Sequence, residues 1–264
     1  MKTRKIGVMI ESFLMGVEDG IRKAAEIGAD GFQIYCIDRV GSESGIGPRS
    51  MDSRARRAFR DSVADKGLVI SALCADRGLG FLDPETNQDV VKRSKECVDF
   101  AVDLGTEVLT THIGTIPEDE NRPEWKIGIE ALTELSSYAE SHGVYFASET
   151  GPESAETMKR FLDKIPTKAI RVNYDPANLI MWGFDQLGGV DILKDYIVHT
   201  HAKDAVLVDG TPQEMPLGEG SVNFPEYLAR LDAIGYDGFL TIEREVGDDP
   251  VSDIVKAVQF LRGL

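Results

Sequence analysis

Residues 141–151 read SHGVYFASETG. A helix-like stretch stops at Gly143, an apolar run starts at Val144, and the run closes on a carboxylate, Glu149. Glycine just past a helix is the usual stop because it tolerates the left-handed conformation. The run VYFAS carries the β-branched and aromatic residues that strands prefer. A charge at the end of a buried strand is costly unless it is paired or bound to a metal. Three later runs repeat the design: IRVNYD from Ile170, YIVHTH from Tyr196 and GFLTIE from Gly238. They close on Asp175, His201 and Glu243.

Working outward, strand-like runs appear at Ile6–Ile10, Gly31–Cys36, Leu68–Ala75, Glu107–His112, Val144–Glu149, Ile170–Asp175, Ile197–His201 and Gly238–Glu243. Amphipathic helical patterns lie between and after them: 16–27, 52–66, 89–104, 124–142, 154–163, 184–193, 224–234 and 251–261. Several stop at glycine, at positions 28, 67, 105, 143 and 235. Eight strand–helix pairs in alternation predict an α/β fold, a single (β/α)8 TIM barrel spanning residues 1–264 as one domain. An open doubly wound sheet is the alternative, but no GxGxxG follows the first strand. No linker or low-complexity tract interrupts the chain.

Asp and Glu total 45 against 29 Lys and Arg, a formal charge of −16. Nucleic acid and anionic membranes both need a basic footprint, so neither is expected as a partner. Cys36, Cys74 and Cys97 show no CxxC spacing and read as buried, reduced thiols of a cytoplasmic protein. The apolar run after MKTRK is short and meets Glu11, unlike a signal peptide. No stretch is long enough to span a membrane. A homodimer is the base-rate expectation.

Barrel enzymes keep their chemistry at the carboxyl ends of the strands. Glu149, Asp175, His201 and Glu243 all fall there, which suggests one divalent-metal site of mixed oxygen and nitrogen ligands. Each has a plainer reading: a neighbouring ion pair for Glu149, an Asx turn for Asp175, a satisfied polar group for His201. At the last strand, Glu243 and Glu245 face one way and Arg244 the other. His112 ends the fourth strand on the same rim, either meeting a substrate hydroxyl or capping its loop. Lys203 and Asp204 orient His201, touch substrate, or form a solvated ion pair. Glu11 is a substrate contact or an ordinary loop carboxylate. The long loops 38–50 and 205–223 are positioned to roof the site. Phe13, Trp125 and Trp182 either wall a small ligand or cover helix tops.

At these residues the chain resembles the sugar phosphate isomerase/epimerase superfamily, the xylose isomerase-like TIM barrels. That superfamily includes D-tagatose 3-epimerase-like enzymes, hydroxypyruvate isomerase and inosose dehydratase. The segments that carry the resemblance are THIG at 111, SETG at 148, NYDPAN at 173, HTHAKD at 199, PLGEG at 216 and TIERE at 241. The resemblance implies a single divalent ion on Glu149, Asp175, His201 and Glu243: Mn²⁺ foremost, with Mg²⁺, Co²⁺ and Zn²⁺ as alternatives. It casts Glu149 and Glu243 as acid and base in a sugar or sugar phosphate isomerase or epimerase. Such an enzyme removes a proton beside a carbonyl through a metal-stabilised enediolate. Substrate contacts are then expected from His112, Asn178, Lys203, Glu219, Trp182 and Glu11. Asn178 stands where the epimerases typically carry a histidine, and no loop arginine matches theirs. A lyase acting on a keto-sugar, keto-glycoside or inosose shares the same constellation. An endonuclease IV-type phosphodiesterase and a non-catalytic sugar-binding barrel are the more distant alternatives.

Overall fold

Strand β1 (Lys5–Met9) hydrogen-bonds to the last strand of the chain, β10 (Phe239–Ile242), and that pairing closes a parallel barrel. The structure is a computed structural model and describes residues 4–38, 45–76, 78 and 80–264. Around the barrel the order is β1, β10, β7 (Ile197–Ala202), β6 (Ile170–Tyr174), β5 (Tyr145–Glu149), β4 (Val108–Thr111), β3 (Val69–Cys74) and β2 (Gly31–Tyr35). Every strand expected from the sequence is present, with no end moved by more than one residue.

Helices α1 (Val17–Glu26), α2 (Ser53–Ala64), α3 (Asn87–Leu104), α4 (Pro123–Ser141) and α5 (Ala155–Leu162) follow the first five strands. Helix α8 (Phe224–Ala233) precedes β10, and α9 (Pro250–Gly263) ends the chain. Their apolar faces bury Cys97, Val98, Phe100 and Ala101 from α3 and Leu132 and Leu135 from α4. Side chains of that size contribute roughly 1.5–3 kcal/mol each when fully buried. Gly28, Gly67, Gly105, Gly143 and Gly235 all have positive φ, as expected of helix stops. Cys36, Cys74 and Cys97 are buried. No helix among the described residues is long and apolar enough to cross a membrane.

Two features depart from the sequence expectation. The helix expected over 184–193 is shortened to α7 (Gly188–Leu193), and a further short helix that the sequence pattern did not suggest, α6 (Pro176–Met181), precedes it. Asp175 caps α6 by accepting from Ala177 N–H and Asn178 N–H, so the helix starts right at the strand end. The expected loop 205–223 contains an antiparallel hairpin, β8 (Asp204–Val208) and β9 (Thr211–Met215). Polar residues and Pro212 mask its strand pattern. Asp204 anchors the hairpin base: its carboxylate accepts from the backbone N–H groups of Ala205, Gly218, Gly220 and Val222. A Cβ at Gly220 would collide with that carboxylate, so glycine is required there. Of the expected loop 38–50, residues 39–44 lie outside the described residues. Its ends are joined by Asp38, which accepts from Arg49 and Ser50 N–H.

Candidate metal centre

Parallel strands that end on one rim bring residues far apart in sequence together. Glu149 closes β5, Asp175 follows β6, His201 lies near the end of β7 and Glu243 follows β10. One ligand atom from each lies within 4.8 Å of all the others. His201 Nδ1 is the hub: 3.3 Å from Glu149 Oε1, 3.2 Å from Glu243 Oε2 and 3.8 Å from Asp175 Oδ2. All four residues are buried. Asp175 uses Oδ1 to cap α6, while its Oδ2 has no hydrogen-bond partner. His201 Nδ1 has none either. A buried polar atom left unsatisfied costs roughly 1–3 kcal/mol. Two such atoms facing two further carboxylates fit a cation. Three carboxylate oxygens and one imidazole nitrogen form a donor set for a hard or borderline divalent ion.

The charges act on one another. Burial disfavours charge on His201, yet Glu149 and Glu243 overcome it and raise its pKa well above the usual value. Against its own burial, Glu243 is held below the usual carboxylate range by His201 and Lys203. Glu149 is lowered too, with His201 and His112 outweighing burial.

Around these four residues lie groups of different character. Lys203 is buried, with Nζ 3.0 Å from Glu243 Oε2, 3.2 Å from Glu245 Oε2 and 3.8 Å from Asp175 Oδ2. Glu149 instead accepts amide hydrogens, from Asn178 at 3.0 Å and Asn173 at 3.1 Å. His112 is exposed on the rim, with Nε2 3.7 Å from Glu149 Oε1 and Nδ1 2.8 Å from Asp76 Oδ2. Glu149, and then the hydrogen bond with Asp76, push the His112 imidazole up to about 9, although partial desolvation beside the cluster opposes this. Beneath the cluster lies a fully buried polar layer of Gln33, Thr110, Asn173, His199 and Thr241.

A family model described as "Xylose isomerase-like TIM barrel" matches residues 21–264. The chain belongs to the xylose isomerase-like TIM barrel family. Its relatives in this family include an inosose dehydratase of Geobacillus thermodenitrificans, 24% identical over 79% of this chain and 81% of the relative. An L-ribulose-5-phosphate 3-epimerase of Shigella flexneri is 23% identical over 78% of this chain and 76% of that protein. Among solved structures, a xylose isomerase domain protein from Planctomyces limnophilus superposes with a TM-score of 0.85 at 26% identity. That likeness covers 99% of this chain and 97% of the other. The fold is thus that of a superfamily of sugar isomerases and epimerases, with a buried site able to hold one metal ion.

Within this family fold the residues singled out from the sequence have separate fates. Glu149, Asp175, His201 and Glu243 converge. Glu243 is the inward carboxylate, and Glu245 is exposed beyond it. Arg244 faces the other way, pairing with Glu214 of the hairpin and Asp253 of α9. Lys203 and Asp204 are not a solvated pair: both are buried, one against Glu243 and the other in the hairpin base. Asn178 is committed to Glu149 and the Thr150 carbonyl, so it holds a site carboxylate. Glu11 accepts from Tyr35 N–H and joins the ends of β1 and β2. Phe13 and Trp125 belong to the core, with Trp125 donating to the Pro117 carbonyl and packing on Phe161. Trp182 is 60% exposed at the end of α6. Glu219 is exposed in the turn after the hairpin. The sequence reading missed Gln33, Asp76 and Asn173. Strand alternation offered a signal for Asn173, which lies two residues before Asp175. Nothing local marked Gln33 or Asp76.

Proposed function

We propose that this protein is a divalent-metal-dependent sugar isomerase or epimerase that moves a proton at the carbon beside a carbonyl. The observation that supports this reading is the orphaned pair of atoms, Asp175 Oδ2 and His201 Nδ1, facing Glu149 and Glu243 at the barrel mouth. Glu149, Asp175, His201 and Glu243 would hold the ion, with Mn²⁺ the first choice for this donor set. When bound, the ion supplies a Lewis acid that stabilises negative charge developing on a substrate oxygen.

The protein's own groups then divide the work. Glu149 is the proton acceptor, positioned by the amides of Asn173 and Asn178. Glu243 is the second proton-transfer group, held from the other side by the Lys203 ammonium 3.0 Å away. His112, on the exposed rim beside Glu149, meets a substrate hydroxyl. Return of the proton to the opposite face of the same carbon gives an epimerase, and return to the neighbouring carbon an isomerase. The dehydratase among the relatives supports a second reading, a lyase that expels a β-hydroxyl after the same proton abstraction.

Solvent-deuterium exchange followed by NMR tests both readings, across ketoses, their phosphates, keto-glycosides and inososes. Metal-dependent exchange at the carbon beside the carbonyl is expected with one of them, lost in EDTA-stripped protein and in Glu149→Gln. The carbon labelled and the product formed separate epimerase, isomerase and lyase. Stoichiometric metal with no exchange on any compound would overturn the catalytic reading.

A further inference from the structure

The geometry points to Gln33 as a positioning residue that fixes which imidazole nitrogen of His201 faces the ion. The inference rests on the metal-site reading above and concerns a residue 168 positions away along the chain.

Hydrogen-bond polarity propagates through the buried layer beneath the cluster. Thr110 Oγ1 lies 3.2 Å from the Leu73 carbonyl oxygen and 3.2 Å from Gln33 Nε2. A carbonyl only accepts, so the single Thr110 hydroxyl proton goes to Leu73. The oxygen lone pair then faces Gln33, and the end of the Gln33 amide nearest it must be the NH₂. That places Gln33 Oε1 against His201 Nε2, 3.1 Å away. An amide oxygen only accepts, so Nε2 carries a proton. Neutral imidazole has one protonated nitrogen and one with a free lone pair. In the neutral form that can ligate, the lone pair therefore sits on Nδ1, the atom that faces all three carboxylates.

A parallel chain fixes the neighbouring strand. Glu149 Oε2 accepts from Asn173 Nδ2 at 3.1 Å, which turns Asn173 Oδ1 toward His199 Nδ1 at 2.9 Å. His199 Nδ1 therefore carries the proton, and its Nε2 accepts from Thr241 Oγ1 at 3.0 Å. Asn173 Nδ2 also lies 3.2 Å from His201 Nε2. In the polarity set by Thr110 that contact is donor against donor, not a hydrogen bond. The competing arrangement has Asn173 donating to a bare Nε2 and the neutral imidazole's proton on Nδ1. It would reverse the Gln33 amide and deprive the Leu73 carbonyl of the Thr110 hydroxyl. Gln33 thus selects the His201 tautomer that can ligate through Nδ1.

The test is calorimetric titration of Mn²⁺ into EDTA-stripped wild type, Gln33→Met, Gln33→Glu and Thr110→Val, with circular dichroism to verify folding. A companion measurement takes ¹⁵N-histidine NMR spectra of the Zn²⁺-loaded proteins, with His201 assigned by its loss in His201→Asn. Gln33→Met keeps the length but removes the acceptor, and Mn²⁺ affinity is expected to fall about 10–100-fold. Gln33→Glu keeps an acceptor for Nε2–H and is expected to bind close to wild type. Thr110→Val loosens the amide and is expected to show a smaller loss. The wild-type spectrum is expected to show a protonated Nε2 and a metal-bound Nδ1. Wild-type affinity in Gln33→Met would overturn the inference and leave the metal-site reading standing. So would equal losses in folded Gln33→Met and Gln33→Glu, or a metal-bound Nε2. A folded wild type that takes up neither ion would overturn both.

Discussion

Glu149 and Glu243 occupy equivalent places, each at the end of a barrel strand, with β6 and β7 between them. Their supports are unlike. Glu149 is held by two neutral amides, Asn173 and Asn178, and looks out past the exposed His112. Glu243 is locked to the buried ammonium of Lys203, which also reaches Glu245. Burial penalises both carboxylates, but only Glu243 has a permanent positive charge against it. Two glutamates that look interchangeable in sequence are therefore tuned apart by their neighbours. Both are held in the charged form, Glu243 by His201 and the Lys203 ammonium, and Glu149 by His201 and His112.

The strongest way to break this comparison is to neutralise each glutamate in turn. Glu149→Gln and Glu243→Gln are each expected to lower kcat by about 10²–10⁴-fold, the usual contribution of a proton-transfer group, with the fold kept by circular dichroism. Near wild-type turnover in either variant removes that residue from the mechanism.

A second pair of variants sharpens the asymmetry. Lys203→Met strips a buried charge pair of one partner and is expected to destabilise the metal-free protein by roughly 3–5 kcal/mol. Asn178→Ala removes a neutral donor from Glu149 and is expected to cost about 1 kcal/mol. Urea unfolding of both, without and with Mn²⁺, reads the difference. A larger loss from Asn178→Ala than from Lys203→Met would reverse the comparison.

The smallest effect belongs to the rim. The His112 pKa is raised from 6.5 to about 9, chiefly by Glu149. A folded-state pKa above the unfolded one stabilises fully below the unfolded value, and that stabilisation fades as pH rises through the folded value. The metal-free protein is therefore expected to lose part of its stability between pH 6.5 and about 9. Urea midpoints across that range should show a shallower decline in His112→Gln. A bound ion, by neutralising Glu149, should flatten the wild-type slope as well. An identical slope in all three preparations would show that His112 does not sense Glu149.

The barrel and its four converging residues were legible because their signals are local. Strand alternation, glycine stops and a costly charge at a strand end need only a few neighbouring residues to be read. The same locality explains the misses. Asp175 was open between a turn and a ligand because its two oxygens do both: Oδ1 caps α6 and Oδ2 faces the cluster. Lys203 and Asp204 were open between orienting His201, touching substrate and a solvated pair because they are adjacent, and the strand sends each to a different buried task. Trp125 and Phe13 follow strand ends as cleft aromatics do, but helix packing draws them into the core. The hairpin 204–215 hid because its second strand, TPQEM, carries no apolar alternation.

The alternation of strands and helices, and the chemical type of the residue at each strand end, are written in the linear pattern. Which groups face one another across the mouth is set by the folded chain. Gln33 meets His201 at 168 residues' separation, Lys203 meets Glu243 at 40, and Arg244 meets Glu214 at 30. Barrel closure, the direct pairing of β7 with β10 and the folding back of the hairpin create these encounters. Proton placement, charge compensation and tautomer depend on distances of a few ångströms between side chains, and a linear pattern carries no such distances.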